Sequence, residues 1–550
     1  MKNKTRSLLK VTYWVLPMAL LIMAAAIKPE NNKQFEISKN LEIFANLYKE
    51  LNTYYVDDLD PGKTMRTGME AMVGSLDPFT NYIAESDIEG YRLRTSGKYF
   101  GIGAQSQLMD DYVTITKLYK DQPADKAGLK VGDQILAVDG NDAKGKTPEE
   151  LEFVLQGFPN TDVLITVKRP GVKKPIDIRL VRGEVSRENV PYSGMIGEDE
   201  IIYVALSTFT RNAGKNVSNA LRDLRLEYPD AKGVVLDLRE NGGGLLVEAV
   251  NLSNVFIPKN EVVVTTKGKV KEWDREFRTM NSVIEEEMPL VVLINKNSAS
   301  ASEIVSGVMQ DYDRGVLVGQ RSYGKGLVQN TKQIGYNSQL KMTTAKYYIP
   351  SGRCIQSVRY EKGEPVDIPD GERAKFKTKN GRTVLDGGGV APDVYVERKA
   401  DHPVIKSLEK EHLIFDFVTE YYTEAADVPP VEELRFTDYE AFLSFLQKRS
   451  FRFKTKSEQL LEQLEKEANK EGYELGNATE DLASQIKSEQ QKILKDYQGV
   501  ITDLIEKEVA ARYYYEEGRV RLGLRNDAEV KEAVKLLKDR TRYDKVLKSK

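Results

Sequence analysis

Three segments of the chain carry residues that do chemistry if the fold brings them together. The first spans residues 290–329. An apolar strand, LVVLI, runs into NKNSASASEI and then into an apolar helical pattern through Val308. A hydroxyl at such a junction sits at the strand's C-terminal end, with helix N–H groups and the helix dipole behind it to favour an oxyanion. Ser298, Ser300 and Ser302 compete for that role. Ser300-Ala301-Ser302-Glu303 also has the form of a helix capping box, and taken by itself the segment favours the cap. Further on, GQRSYGKGLVQ (319–329) places Lys325 in a glycine-rich turn with apolar residues after it. Its spacing approaches that of a phosphate-binding loop, but Gly326 stands where that loop needs Ser or Thr for magnesium, and the chain after Leu327 reads as extended rather than helical. A nucleotide site is therefore rejected. Burial would instead lower the pKa of Lys325, and a neutral lysine can take a proton from serine. Gln329, on the same extended segment, is suited to orient the amine. The third segment, VVLDLRENGGGLLVEAV (234–250), ends a buried strand in Asn241-Gly242-Gly243-Gly244. Glycines there allow close backbone approach and a donated N–H.

The whole chain constrains these choices. Two histidines in 550 residues make a histidine-based triad and a histidine-rich metal site improbable, and one cysteine, Cys354, excludes an intramolecular disulfide. Cys354 has no histidine near it in sequence and reads as a packing residue. With 40% hydrophobic residues, 30% charged residues and a net charge of -3, the chain can build real cores and has no global field for nucleic acid.

The elements needed to position the three segments follow from hydrophobic periodicity. Residues 1–30 carry a basic flank (Lys2, Lys4, Arg6, Lys10) and an apolar run from Val11 to Ile27. That pattern predicts export, through either a cleaved signal peptide or an uncleaved inner-membrane anchor. Residues 35–95 predict a helical N-terminal region, interrupted by turn chemistry at Ser75-Leu76-Asp77-Pro78. Residues 96–184 predict short strands at 113–117, 134–138, 163–168 and 176–181 around one helix at 148–156, a small β-barrel or sandwich. Residues 185–400 alternate strand and helix, as an α/β layer does. Residues 401–550 predict long charged helices, among them 456–470, 477–511 and 527–539. RYYYEEGR (512–519) is expected to pack within a helix.

Taken together the three segments closely resemble the C-terminal processing peptidases, also called tail-specific proteases. SASASEI, DLRENGGG and YGKGLVQ occur in the family's order and spacing, and LYKELNTYYVDD, GSLDPFTNYI, SGRCIQ and GGGVAPDV extend the resemblance over about residues 40–398. The resemblance implies a serine nucleophile 25 residues before its lysine base, which selects Ser300 and Lys325, and a supporting Gln329. It implies oxyanion donors at Ala301 and at Gly242 or Gly243. Asp311 matches an acid of the family pattern, but a salt bridge or cap explains it as well.

Tyr99-Phe100-Gly101-Ile102-Gly103 looks like the carboxylate-binding loop of a PDZ domain, and QPADKAGLKVGDQILAVDG is similar to a PDZ run with Leu129, Val131, Ile135, Leu136 and Val138 mostly in its core. Such domains capture a free C-terminus by strand addition, so Phe100, Gly101, Ile102 and Gly103 are the expected tail-binding residues. The expected chain is a multidomain α/β protein. It combines a PDZ barrel with an α/β serine-protease core and helical N- and C-terminal regions. It is expected to cleave proteins near their C-termini in the periplasm or at the periplasmic face of the inner membrane, and to need no metal or cofactor. A homodimer is consistent with the resemblance, whose C-terminal extensions occur in members of the Bacteroidetes type. The competing expectation is a non-catalytic PDZ scaffold or chaperone that binds protein tails.

Overall fold

The computed structural model describes residues 30–88, 98–397 and 402–548, except positions 187, 199, 357, 362–363, 423–427, 452, 454 and 474. The predicted export segment lies outside the described residues. The chain forms two compact units, residues 1–82 and 83–550. The first contains the helices Glu30–Tyr54 and Pro61–Gly74, in place of the broader helical region expected. Asp60 caps the second helix through the Lys63 N–H at 3.0 Å, with Pro61 at its first position. The first helix leaves Phe35, Ile37, Leu41 and Leu47 exposed.

The second unit holds the site. Its central sheet has six strands, and four of them, Ile201–Ala205, Gly233–Asp237, Leu290–Ile294 and Val316–Gly319, lie side by side and parallel. The last of these also pairs in parallel with Val394–Tyr395, while Tyr192–Ile196 closes the other edge antiparallel. The first three strands are buried at every position, which explains why they read as unbroken apolar runs. One face is packed by the helices Ala213–Glu227, Leu246–Phe256 and Ala301–Asp311. Because the strands are parallel, the turns after Asp237, Ile294 and Gly319 all emerge at one edge. These are the turns that carry the three segments singled out in the sequence.

A second, antiparallel sheet contains Val262–Gly268, Arg275–Arg278 and the hairpin Leu327–Gly335/Ser338–Tyr348. The chain after Lys325 is thus a strand, as its pattern predicts, and not the helix of a phosphate loop.

Residues 104–181 form the predicted antiparallel barrel, with strands Ala104–Met109, Tyr112–Leu118, Gln134–Val138, Asp162–Lys168 and Ile176–Val181 and the helix Pro148–Leu155. Its core includes Leu129, Ile135 and Val138; Val131 packs against it only partly buried, and Leu136 lies outside it. Strand Lys98–Gly101, ahead of the barrel, pairs with Gly183–Ser186 behind it.

The C-terminal region departs from expectation in two ways. The single helix expected over 477–511 is broken at Tyr497, giving Asn477–Asp496 and Gln498–Gly523. At the break the Tyr497 ring packs against His402, with ring centroids 4.4 Å apart and the planes tilted by 32°. Within Gln498–Gly523 the backbone kinks again at Tyr515, where φ is 56° and ψ is -156°. There the Tyr515 hydroxyl donates to Asp125 of the barrel at 2.8 Å, and Glu516 pairs with Lys117 at 2.5 Å. RYYYEEGR is therefore a kinked contact with the barrel and not a plain helical segment. Secondly, the extension is not an appendage to the core. The helices Ala528–Lys538 and Arg540–Leu547 cover the second face of the central sheet, packing Val530, Ala533, Leu536, Leu537 and Tyr543 on Tyr203, Val235, Val291, Leu293 and Val318.

Candidate active site

The buried strand Leu290–Ile294 hands the chain to a tight turn organised by Asn295, whose side-chain oxygen accepts the N–H of Asn297 at 3.1 Å and of Glu240 at 3.2 Å. The three competing serines then separate by environment. The Ser298 hydroxyl donates to Leu238 O at 2.8 Å and the Ser302 hydroxyl to Asn241 O at 2.8 Å, and both side chains are fully buried. Ser300 is the part-exposed one of the three. Its backbone has φ 56° and ψ -113°, a conformation that costs a non-glycine residue about 1–3 kcal/mol and marks a strand-to-helix elbow. The capping reading is also correct, because Glu303 accepts the Ser300 N–H at 2.8 Å. The same serine therefore starts the helix Ala301–Asp311 and stands at the elbow.

The glycine turn lies directly against this elbow. A Cβ placed on Gly243 would come within 2.8 Å of Ser300 Cβ and 2.9 Å of Ala301 N, so no other residue fits. Asn241 anchors the contact: its carbonyl accepts the Ala299 N–H at 3.0 Å as well as the Ser302 hydroxyl. Its side-chain oxygen accepts the Gly243 N–H at 2.9 Å, so that donor is already used. Among the described residues neither the Gly242 N–H nor the Ala301 N–H has an acceptor, and Ala301 N lies against Gly243 of the glycine turn.

Lys325 comes to the same place by a double clamp on its peptide unit. The Glu303 carboxylate accepts the N–H of Ser300 at 2.8 Å and of Lys325 at 2.9 Å, together with the Gly324 N–H at 2.6 Å and the Ser322 hydroxyl at 2.5 Å. On the carbonyl side, the Tyr347 hydroxyl shares its proton between Ser300 O at 3.2 Å and the carbonyl of Lys325. Both clamps are buried. Burial pushes the Glu303 carboxyl up against the opposing pull of its four donors, and burial beside Glu303 pushes the Tyr347 phenol far above its ordinary range. Gly326 has a different task from the one weighed in the sequence: a Cβ on it would sit 2.6 Å from Gln356 N, whose side-chain oxygen takes the Gly326 N–H at 2.8 Å.

The remaining expected residues have these places. The Gln329 amide donates to Thr343 on the neighbouring strand at 3.4 Å. Asp311 pairs with Arg353 at 3.0 Å and accepts the Ser351 N–H at 2.9 Å, so it holds the loop after Tyr348 in the manner of the structural alternative. In the barrel, Ile102 O accepts the Ala124 N–H at 2.7 Å and Gly103 O the Tyr119 N–H at 3.1 Å, which fixes the loop by its carbonyls. Phe100 is exposed, whereas Gly101, Ile102 and Gly103 are buried. The Tyr99 ring folds over Gly101, and burial raises the Tyr99 phenol while the Gly103 and Ala104 N–H groups partly offset that shift.

Sequence reasoning singled out Ser300, Lys325 and the glycine turn, which the fold brings together, but missed the groups that tie them. Glu303 was visible only as a cap. Tyr347 gave no signal, because nothing in a strand of mixed residues marks one phenol as a bridge.

A parallel sheet that aims a strained serine, a glycine turn and a lysine loop at one edge is the frame of a serine peptidase, here joined to a PDZ-type barrel. Comparison with known proteins agrees. Residues 200–365 match "Peptidase family S41", residues 114–169 match "PDZ domain", and residues 404–537 match "Probable PDZ-protease, C-terminal helical domain". The "Carboxy-terminal-processing protease" of Bartonella bacilliformis is 34% identical over 372 residues, which cover 66% of this chain and 84% of that protein. The "Probable CtpA-like serine protease" of Staphylococcus aureus is 33% identical over 336 residues, covering 60% of this chain and 65% of its own. Among solved structures, the photosystem II D1 C-terminal processing protease is 25% identical with a TM-score of 0.36, covering 65% of this chain and 93% of its own. The chain belongs to the S41 family of carboxy-terminal-processing proteases, and it is a serine-type peptidase with a PDZ domain.

Proposed function

We propose that the chain cleaves proteins near their C-termini with Ser300 as nucleophile and Lys325 as general base. The observation that supports this most is the double clamp: one buried carboxylate accepts the N–H groups of both residues and one buried phenol serves both carbonyls. Two residues 25 positions apart in sequence are held as one unit. In this reading neutral Lys325 takes the Ser300 proton as the hydroxyl attacks the scissile carbonyl. The N–H groups of Ala301 and Gly242 receive the developing oxyanion. The lysine then protonates the leaving amine, and water, deprotonated by the same lysine, releases the acyl group. Gln329 supports the amine from the adjoining strand.

The PDZ loop, Phe100 to Gly103, supplies the substrate tail by binding its carboxylate on backbone N–H groups. The basic and apolar N-terminus makes the periplasm, or the periplasmic face of the inner membrane, the place of action.

The test is cleavage of an unstructured protein by Ser300→Ala and Lys325→Ala, with tail-peptide binding measured in parallel. Each variant is expected to lose at least about a thousandfold in kcat while keeping tail binding. Full cleavage by either would refute the dyad. An inactive wild type that binds tails would favour the non-catalytic scaffold.

A further inference from the structure

At the edge of the sheet where the site lies, the strand Gly233–Asp237 continues through Leu238 and Arg239 into the glycine turn. Arg239 is nearly buried and forms a fork on Asp237, with Nη2 at 2.6 Å from Oδ2 and Nε at 3.0 Å from Oδ1. Tyr203 donates to the same Asp237 at 2.6 Å, and the Arg239 N–H is itself accepted by Asp237 at 2.9 Å. The remaining arm of the guanidinium reaches a different part of the chain. Its Nη1 meets Asp527 at 2.7 Å and also Glu529, both from the start of the C-terminal helix Ala528–Lys538. Asp527 caps that helix through the Glu529 N–H at 2.9 Å and the Val530 N–H at 3.1 Å, so the pair is fixed at the helix N-terminus.

Glu529 touches a second strand as well. A Cβ placed on Gly319, the last residue of Val316–Gly319, would meet Glu529 Oε1 at 3.1 Å. Gly319 opens the loop that carries Lys325. One buried carboxylate from the extension thus lies against the strand that leads to the oxyanion turn, through Arg239, and against the strand that leads to the lysine.

The helix does not need these charges to stay on the sheet. Val530, Ala533, Leu536 and Leu537 already bury an apolar stripe there, and a buried ion pair is a poor source of net stability compared with apolar packing. Lys538 at the far end of the helix pairs with Glu198 and Glu200, away from the site, whereas Asp527 and Glu529 sit where the helix start meets Arg239, three residues before Gly242.

We propose that Asp527 and Glu529 are positioning residues of the peptidase site. Through Arg239 they hold the turn that presents the Gly242 N–H to the oxyanion, so the C-terminal extension takes part in catalysis without touching substrate. This deepens the Ser300–Lys325 reading and rests on Gly242 as an oxyanion donor.

The experiment uses the full chain with Glu529→Gln, Asp527→Asn and Glu529→Asp, and Leu537→Ala as a control that loosens the helix without touching the ion pairs. Four quantities are measured: kcat, KM, the Tm, and inhibition by a peptide boronate, whose adduct on serine mimics the tetrahedral intermediate. Glu529→Gln is expected to lower kcat roughly tenfold, less than the hundredfold or more for losing a whole oxyanion donor. KM is expected to stay within about twofold and the boronate to weaken by the same factor as kcat. Glu529→Asp should recover part of the loss. Leu537→Ala should lower Tm while kcat below the melting range is kept. Wild-type kcat and boronate binding in Glu529→Gln and Asp527→Asn would overturn the proposal, as would an equal loss of kcat in Leu537→Ala. If Glu529→Gln does not fold, Asp527→Asn decides between these outcomes. The dyad is judged separately, by Ser300→Ala, so that either reading can fail without the other.

Discussion

The two faces of the central sheet are closed by different parts of the chain, in different ways. The near face takes its helices from the segments between its own strands, and its core is apolar from Ile202 and Val204 through Leu236 and Val292 to Ile304 and Val308. The far face is covered by helices that follow the last of the parallel strands by more than a hundred residues. Alongside its apolar stripe it carries polar ties: the Tyr543 hydroxyl exchanges hydrogen bonds with Leu290 N at 2.9 Å and O at 3.0 Å, and Arg239 meets Asp527 and Glu529. The near face places Ser300 and Lys325, the proposed reacting residues, since the elbow helix and Tyr347 belong to it. The far face holds the ends of the strands from behind. A parallel sheet needs both faces buried, so the peptidase core of this chain is complete only with its extension.

The largest effect that would break this comparison is on the near face. Glu303→Ala removes the carboxylate shared by the Ser300 and Lys325 N–H groups, and a shift of about 1 Å between reacting groups costs about a hundredfold. A fall of that size in kcat, with tail binding unchanged, is expected in steady-state kinetics. A normal kcat would show that the clamp is not what aligns the pair.

Stability tests the other half. Leu236 and Leu536 are both fully buried, one facing the near core and one the far core. Truncating either to Ala is expected to cost about 2–5 kcal/mol in denaturant unfolding followed by a probe in the peptidase core. If the extension were a separate module, Leu536→Ala would leave that transition where it is.

Tyr347→Phe removes one shared hydroxyl, with a net cost of about 0.5–1.5 kcal/mol. A severalfold fall in kcat is expected, well short of the Glu303 effect; a loss as large as that of Glu303→Ala would give the phenol a larger role than bridging.

The smallest effect lies where the extension meets the PDZ barrel. Burial would raise the Glu516 carboxyl, but Arg519 and Lys117 more than offset it and bring it down to about 2 from the ordinary 4.5. A depressed carboxyl contributes stability in full above its unfolded pKa and loses it as pH falls through the folded value. Amide exchange in strand Tyr112–Leu118 should therefore speed up as pH drops from about 4.5 toward 2, beyond the intrinsic change, and Glu516→Gln should flatten that dependence. An unchanged profile in Glu516→Gln would remove this contact from the account.

Much of the site was legible because its signals are local. Buried parallel strands read as apolar runs, glycine turns read as glycines, and the order of SASASEI, DLRENGGG and YGKGLVQ selected Ser300 and Lys325 from their neighbours. What escaped were pairings whose partners carry no local mark. Tyr347 is one tyrosine in a strand of ordinary residues, and Asp527 is one more charged residue at the start of the helix expected over 527–539. Tyr497 lies at the break in a predicted helix, where its ring meets that of His402, 95 positions earlier in the chain.

The sequence by itself determined the strands of the barrel and of the central sheet, which of them are buried on both faces, and the grouping of Ser300, Lys325 and the glycine turn as a candidate site. Only the tertiary structure decided that Glu303 and Tyr347 tie those residues into one unit, that Gly243 spends its N–H on Asn241 and leaves Gly242 free, and that the C-terminal helices close the sheet. Periodicity reports which side of an element is apolar, but not what will cover it. A hydrogen bond between groups far apart in sequence exists only once the chain has folded to bring them within about 3 Å.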